Sequence, residues 1–115
     1  MNAQIQFISG IEEKILPVIS LTKSKKGKTG TATFIFVNPS IFEQKCCTIN
    51  EVNGIHLLWE DKKIIGNDIS IIFKRGQPFL IKAILIFKNS EEWVNFLQFM
   101  NLYSKQTGLS FIDNL

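Results

Sequence analysis

The fold is decided between residues 79 and 108, FLIKAILIFKNSEEWVNFLQFMNLYSKQTG, where one spacing of apolar residues gives way to another. Phe79, Ile81, Ala83, Leu85 and Phe87 alternate with Leu80, Lys82, Ile84 and Ile86, the period of two that belongs to a strand. Both sets are largely apolar, so this strand is expected to be central and covered on both faces. From Asn89 onward the period lengthens. Trp93, Phe96, Leu97 and Met100 stand at i, i+3, i+4 and i+7, and Phe99, Leu102 and Tyr103 widen the stripe. Asn89 or Ser90 suits the N-cap, and Glu91 and Glu92 favour the positive end of a helix. With Asn89 as cap, Glu92 has the spacing of a capping box. Lys105 falls in the last turn and Gly108 is placed to end the helix. At ~1.5 Å per residue such a helix is roughly 27 Å long, enough to cross a sheet.

Strands precede this pair of elements. Residues 31–37 put Thr31, Thr33, Ile35 and Val37 on one face and Ala32, Phe34 and Phe36 on the other, until Asn38-Pro39 stops the run. Residues 4–9 and 18–23 alternate likewise, and the lysine-rich, glycine-containing segment 23–30 reads as a hairpin loop. Ser40 and Glu43 have capping-box spacing for one helical turn. Ile55, Leu57 and Trp59 alternate with His56 and Leu58, and residues 64–74 form strand material broken at Gly66-Asn67-Asp68. Arg75-Gly76 is a tight turn. Strands first and a long helix last predict an α+β fold: an antiparallel or mixed β-sheet with the C-terminal helix packed on one face.

The 115 residues fit a single domain, 1–115, and 45% hydrophobic content supplies a core. The net charge of +3 permits an acidic partner or an anionic membrane surface without demanding either. No segment has the length of a membrane span, and the first residues lack the features of a signal or transit peptide. Cys46 and Cys47 are adjacent, unsuited to an ordinary disulfide, and read as reduced thiols. The wealth of Ile, Lys, Asn and Phe points to an AT-rich, organellar type of genome.

Little in the chain suggests catalysis. Gly27-Lys28-Thr29 lacks the first glycine of a phosphate loop, since Thr22 stands there, and a strand follows it where a helix is needed. His56 is the sole histidine and has no partner at ligand or triad spacing. Glu91-Glu92 belongs to the helix start, and Glu12-Glu13 and Glu60-Asp61 read as surface charge. Trp59 is the one side chain nominated as an exposed base-stacker. The strongest surface feature is Lys23, Lys25, Lys26 and Lys28 on one loop, which would steer the protein to anionic lipid or an acidic partner or else simply solubilise a hairpin tip.

Several blocks carry a family resemblance. Ile5-Gln6-Phe7-Ile8, Leu21-Thr22-Lys23-Ser24, Gly30-Thr31-Ala32-Thr33-Phe34-Ile35-Phe36 and Asn38-Pro39 are similar to the first half of the Psb subunit twenty-eight family, also called the photosystem II reaction-centre W protein. Gly76-Gln77-Pro78, Ser90-Glu91-Glu92-Trp93, Phe96, Phe99-Met100, Tyr103 and Gly108-Leu109-Ser110-Phe111 resemble its ending. Residues 44–67 match least, and the lysine loop and the cysteine pair depart from the family pattern.

The resemblance implies a non-catalytic photosystem II assembly factor. It would bind assembly intermediates transiently at the stromal or cytoplasmic face of a plastid or cyanobacterial thylakoid, peripheral to the membrane. Its implied partners are the photosystem II core and the larger inner antenna chlorophyll protein, with no cofactor, metal, nucleic acid or small-molecule substrate. Strand addition to an exposed sheet edge is the expected mode, with residues 29–37 as the edge. The expected contact residues are Lys23, Lys25, Lys26, Lys28, Thr31 and Thr33, with Phe111 and Leu115 in the apolar tail 109–115. The alternative is a small basic module binding RNA or anionic lipid, with steep salt dependence.

Overall fold

A computed structural model describes residues 3–24, 29–43, 52 and 54–109, together with the backbone of 112–114. In chain order its elements are β1 (Gln4–Ile8), β2 (Ile11–Glu12), β3 (Val18–Lys23), β4 (Gly30–Val37), a 3-10 turn (Ser40–Glu43), β5 (Ile55–Trp59), β6 (Lys62–Gly66), β7 (Asp68–Lys74), β8 (Gln77–Phe87), α1 (Ser90–Thr107) and β9 (Ile112–Asn114). They form two sheets, ordered β2-β1-β5-β6 and β7-β8-β4-β3-β9. Every pairing is antiparallel except β3 with β9. The α+β class follows, with the five-stranded sheet mixed by its last strand.

Aromatic contacts show how the layers meet. Phe7 of β1 and Phe36 of β4 join the two sheets edge to face, their centroids 4.9 Å apart. The helix touches both sheets. Phe96 reaches Phe34 of β4 at 6.2 Å and Phe87 of β8 at 4.6 Å, while Phe99 reaches Trp59 of β5 at 5.5 Å. A helix gripping two sheets needs a wider apolar stripe than one lying on a single sheet, which explains why Phe99 and Tyr103 are buried beside Trp93, Phe96 and Met100. Trp59, nominated as an exposed stacker, is 3% exposed. The alternation that makes β5 a strand also points Trp59 the same way as Leu57 and Ile55, into the core.

Local chemistry sets the ends of the elements. The Asn89 side chain accepts a hydrogen bond from the Glu92 backbone N–H at 2.9 Å, and a Glu92 carboxylate oxygen accepts from the Lys88 N–H. The box therefore closes one residue before the cap. Gly108 takes φ 76° and donates to the Ser104 carbonyl, ending the helix. Arg75 and Gly76 both take positive φ, as a two-residue primed hairpin turn between β7 and β8 requires. Gly30 lies where a Cβ would come within 2.8 Å of the Trp93 ring, so the helix start packs directly on the β4 backbone.

Three expectations are corrected. Residues 29–37 are not an edge, because β4 lies between β8 and β3. Its neighbour through the hairpin was local, whereas its second neighbour comes from β8, far along the chain. β8 is central but covered on one face only. Ile81, Ala83, Leu85 and Phe87 are buried beneath the helix and the other sheet, while Ile86 on the opposite face is 63% exposed. Glu13 is not surface charge. It is 4% exposed and accepts hydrogen bonds from the backbone N–H groups of Ile15, Ser40 and Ile41 and from the Ser40 hydroxyl, at 2.8–3.0 Å. The Ser40 and Ile41 donors are N–H groups at the start of the 3-10 turn, so the carboxylate pins the segment before β3 to the segment after β4.

Candidate partner-binding surface

Of the expected contact residues, Lys23, Thr31 and Thr33 are described, and Lys23 and Thr31 border one cleft beside Ile86. Lys23 ends β3 and pairs with Gly30 across the hairpin. Lys25, Lys26 and Lys28 lie outside the described residues, as do Phe111, Leu115 and the Cys46-Cys47 pair. Thr31 and Thr33 point away from the core on the outer face of the five-stranded sheet, half-buried beside Ile86 and Ile84 of β8. They are therefore face residues, not edge residues. The backbone of the apolar tail runs along β3, with Ser20, Leu21 and Thr22 opposite Ile112, Asp113 and Asn114.

That tail changes which backbone is open. β9 covers the β3 edge, and β2 is only two residues long. At the other end of the five-stranded sheet, β7 has β8 on one side and no described strand on the other. Between Asp68 and Lys74 it reads Ile-Ser-Ile-Ile-Phe, with no charge and no proline, and Phe73 is 55% exposed. Edges are normally blunted by charge, proline or shortness. β7 has charge only at its two ends, and Lys74 lies over the Phe79 ring at 5.0 Å. The alternation of Ile69, Ile71 and Phe73 marks this strand in the sequence but gives no sign that it ends a sheet, because sheet order depends on pairings between distant segments.

The outer face of the same sheet is the second open surface. Its exposed or half-buried aliphatic side chains include Val18, Ile35, Val37, Leu80, Ile84 and Ile86. Lys82 stands among them opposite Ile35 and Ser70. The signal for this surface was in the sequence, in the two apolar faces of β8.

The remaining clefts gather little chemistry. One of about 310 Å³ lies between β6, the end of β8 and the first helical turn, lined by Lys63, Ile65, Ile86, Glu92 and Asn95 among others. Another of about 430 Å³ is bordered by Trp59, Lys62, Gln98, Asn101 and Lys105. Neither pairs a nucleophile with a base. Among the described residues no three His, Cys, Asp or Glu side chains come together as a metal-binding group. His56 lies half-buried on the outer face of the four-stranded sheet between Gln6 and Ile65. Burial, and then the Lys63 ammonium, hold its pKa below the ordinary 6.5, so the imidazole is neutral at pH 7. Tyr103 is buried, and its phenol is pushed up to about 12 by that burial and then by the charges of Glu13 and Glu12.

Comparison with known proteins gives this surface its context. The family model described as Psb28 protein matches residues 5–111. A Photosystem II reaction center Psb28 protein of Cyanidioschyzon merolae is 40% identical over 109 residues, covering 95% of this chain and 96% of that protein. The protein of the same name from Phaeodactylum tricornutum is 42% identical over 111 residues, with 96% of each chain covered. That from Trichormus variabilis is 38% identical over 109 residues, covering 95% of this chain and 96% of its own. The family model's match runs from within β1 to beyond the end of α1. The chain belongs to the Psb28 protein family.

Proposed function

We propose that the protein is a non-catalytic, single-domain accessory factor that binds transiently to photosystem II assembly intermediates. Its place is the stromal or cytoplasmic surface of the thylakoid, where it meets the photosystem II core and the larger inner antenna chlorophyll protein. The observation that carries this is the near-complete match to relatives named for the photosystem II reaction center. Two features of the chain support it. Among the described residues no helix is long and apolar enough to cross a membrane, which suits a partner that docks from outside the bilayer. The open β7 edge offers seven residues of backbone to an extended segment of a membrane subunit. Backbone hydrogen bonds would supply affinity, and alternate side chains of the added strand would supply selectivity. The lysines of the loop 23–28 would add electrostatic steering. The alternative of an RNA-binding module loses its nominated stacking residue, since Trp59 is in the core.

The test uses the purified chain with photosystem II complexes that lack the extrinsic oxygen-evolving subunits, and with complete complexes. The first should bind and the second should bind much less. Hydrogen exchange in the bound state should slow at amides of β7, and Phe73→Lys should weaken binding while leaving the fold intact. Equal binding to both preparations would contradict a role confined to intermediates, and unchanged exchange at β7 in a formed complex would remove the edge as the contact.

A further inference from the structure

We propose that the outer face of the five-stranded sheet is a second docking surface, made for an amphipathic helix of a protein partner that presents a carboxylate to Lys82. The inference rests on the partner-binding reading above but concerns a different surface from the β7 edge.

Three observations point to it. First, β8 is aliphatic on the side that nothing described covers. Leu80, Ile84 and Ile86 project there, with Ile35 and Val37 of β4 and Val18 of β3 beside them, and Val18 is 59% exposed. A soluble sheet ordinarily turns polar residues to water, so a contiguous aliphatic face marks a contact surface. Second, Lys82 stands in the middle of this face and has no ion-pair partner among the described residues. A solvated ammonium amid aliphatic side chains must find an anion when the face is covered, because burying it unpaired is costly.

Third, the surrounding charge is predominantly basic. Lys74 and Arg75 lie at one end of β8 and Lys88 just beyond the other, all exposed, against two acids: Asp68 opposite Ile84, and Glu92, which accepts from the Lys88 backbone N–H and shares a cleft with Ile86. The other exposed acids among the described residues, Glu12, Glu43, Glu60, Asp61 and Glu91, lie on β2, at the end of the 3-10 turn, on the turn between β5 and β6, and at the start of α1, outside this sheet. A partner bearing acids along its rim and one acid toward the centre meets this pattern, and a basic partner is repelled by it.

The dimensions suit a helix. From Leu80 to Ile86 the face runs about 20 Å at ~3.3 Å per residue, the length of roughly 13 helical residues. A helix on a sheet face also leaves the β7 edge free for an added strand. A lipid surface fits less well. The face carries Thr22, Thr31 and Thr33 among its aliphatics, and β3, β4 and β8 turn no aromatic side chain of the kind that anchors proteins in an interface toward it.

The test compares Lys82→Glu, Lys82→Gln and Ile86→Ser with the unaltered chain for binding to photosystem II complexes lacking the extrinsic subunits, after thermal unfolding has shown each variant folded. Lys82→Glu should weaken binding about tenfold or more, Lys82→Gln less, and Ile86→Ser several-fold. A photoreactive amino acid at position 86 should cross-link to one amphipathic, acid-bearing helical segment. It keeps the inference testable if a substitution fails to fold. Wild-type affinity in all three variants, with Phe73→Lys still impaired, would overturn this surface and leave the edge contact standing. Loss of binding to Lys82→Glu together with co-sedimentation of the unaltered chain on phosphatidylglycerol vesicles would overturn it in favour of lipid. Failure of the unaltered chain to bind the complexes would overturn both.

Discussion

At the scale of single residues, Glu13 and Tyr103 show how burial converts ordinary side chains into structural ones. Glu13 accepts four hydrogen bonds, three from part-buried groups and one from the buried Ile41 N–H. Glu13→Ala should therefore destabilise the fold by about 3 kcal/mol, since it orphans several donors at once. Glu13→Gln should cost less, because one amide oxygen still accepts. Denaturant unfolding of the two variants checks the order. Tyr103 is the only tyrosine, so its ionisation can be read directly by ultraviolet absorbance. It should titrate near pH 12 in the folded chain, where an ordinary tyrosine titrates near 10. The folded state then holds the proton more tightly than the unfolded state, so stability falls as pH rises from about 10 to about 12. A titration midpoint near 10 with the fold intact would show the phenol to be solvated. Neither role was legible in the sequence. An adjacent acidic pair such as Glu12-Glu13 looks like surface charge until the 3-10 turn after β4 is seen to bring its donors to one of the two.

At the scale of elements, the sequence was most readable where a period was long and its ends were marked. The helix was expected from Asn89 to Gly108 and runs Ser90–Thr107 between those two caps. The alternations of β3, β4, β5 and β8 sorted each strand's residues into the two faces the structure shows, because side-chain direction in a strand is set locally, but they did not say which face is covered. What local pattern did not reveal was partnership. Nothing in residues 31–37 says that β8 will lie beside them, and nothing in residues 68–74 says that no described strand will lie on their far side. The tail shows the same division. Its apolar character announced docking, but the partner is the chain's own β3. Removing residues 109–115 should therefore expose the β3 edge and promote self-association, while lowering thermal stability modestly. Sedimentation of the truncated chain at increasing concentration measures this. A truncated chain that stays monomeric with unchanged stability would show that β9 contributes nothing to the edge.

At the scale of the whole molecule, the five-stranded sheet leaves an edge at β7 and a face centred on Lys82 uncovered by any described element. The division of the strands between two sheets escaped the sequence analysis because it turns on a single residue, Asn67, through which the chain passes from β6 in one sheet to β7 in the other. The candidate site was legible only in outline. Thr31 and Thr33 lie on the open face, but the residues that define it, Lys82, Ile84 and Ile86, were taken for a covered strand. The family was legible from motifs, and its relatives match from end to end.

The central claim is that this chain binds photosystem II intermediates, and it is tested most directly by capture of the tagged chain from mildly solubilised thylakoids. Mass spectrometry of the captured complexes should find photosystem II core subunits with the larger inner antenna chlorophyll protein and without the extrinsic oxygen-evolving subunits. Capture of no photosystem II subunit, in an extract whose intermediates are shown to be intact, would contradict the account.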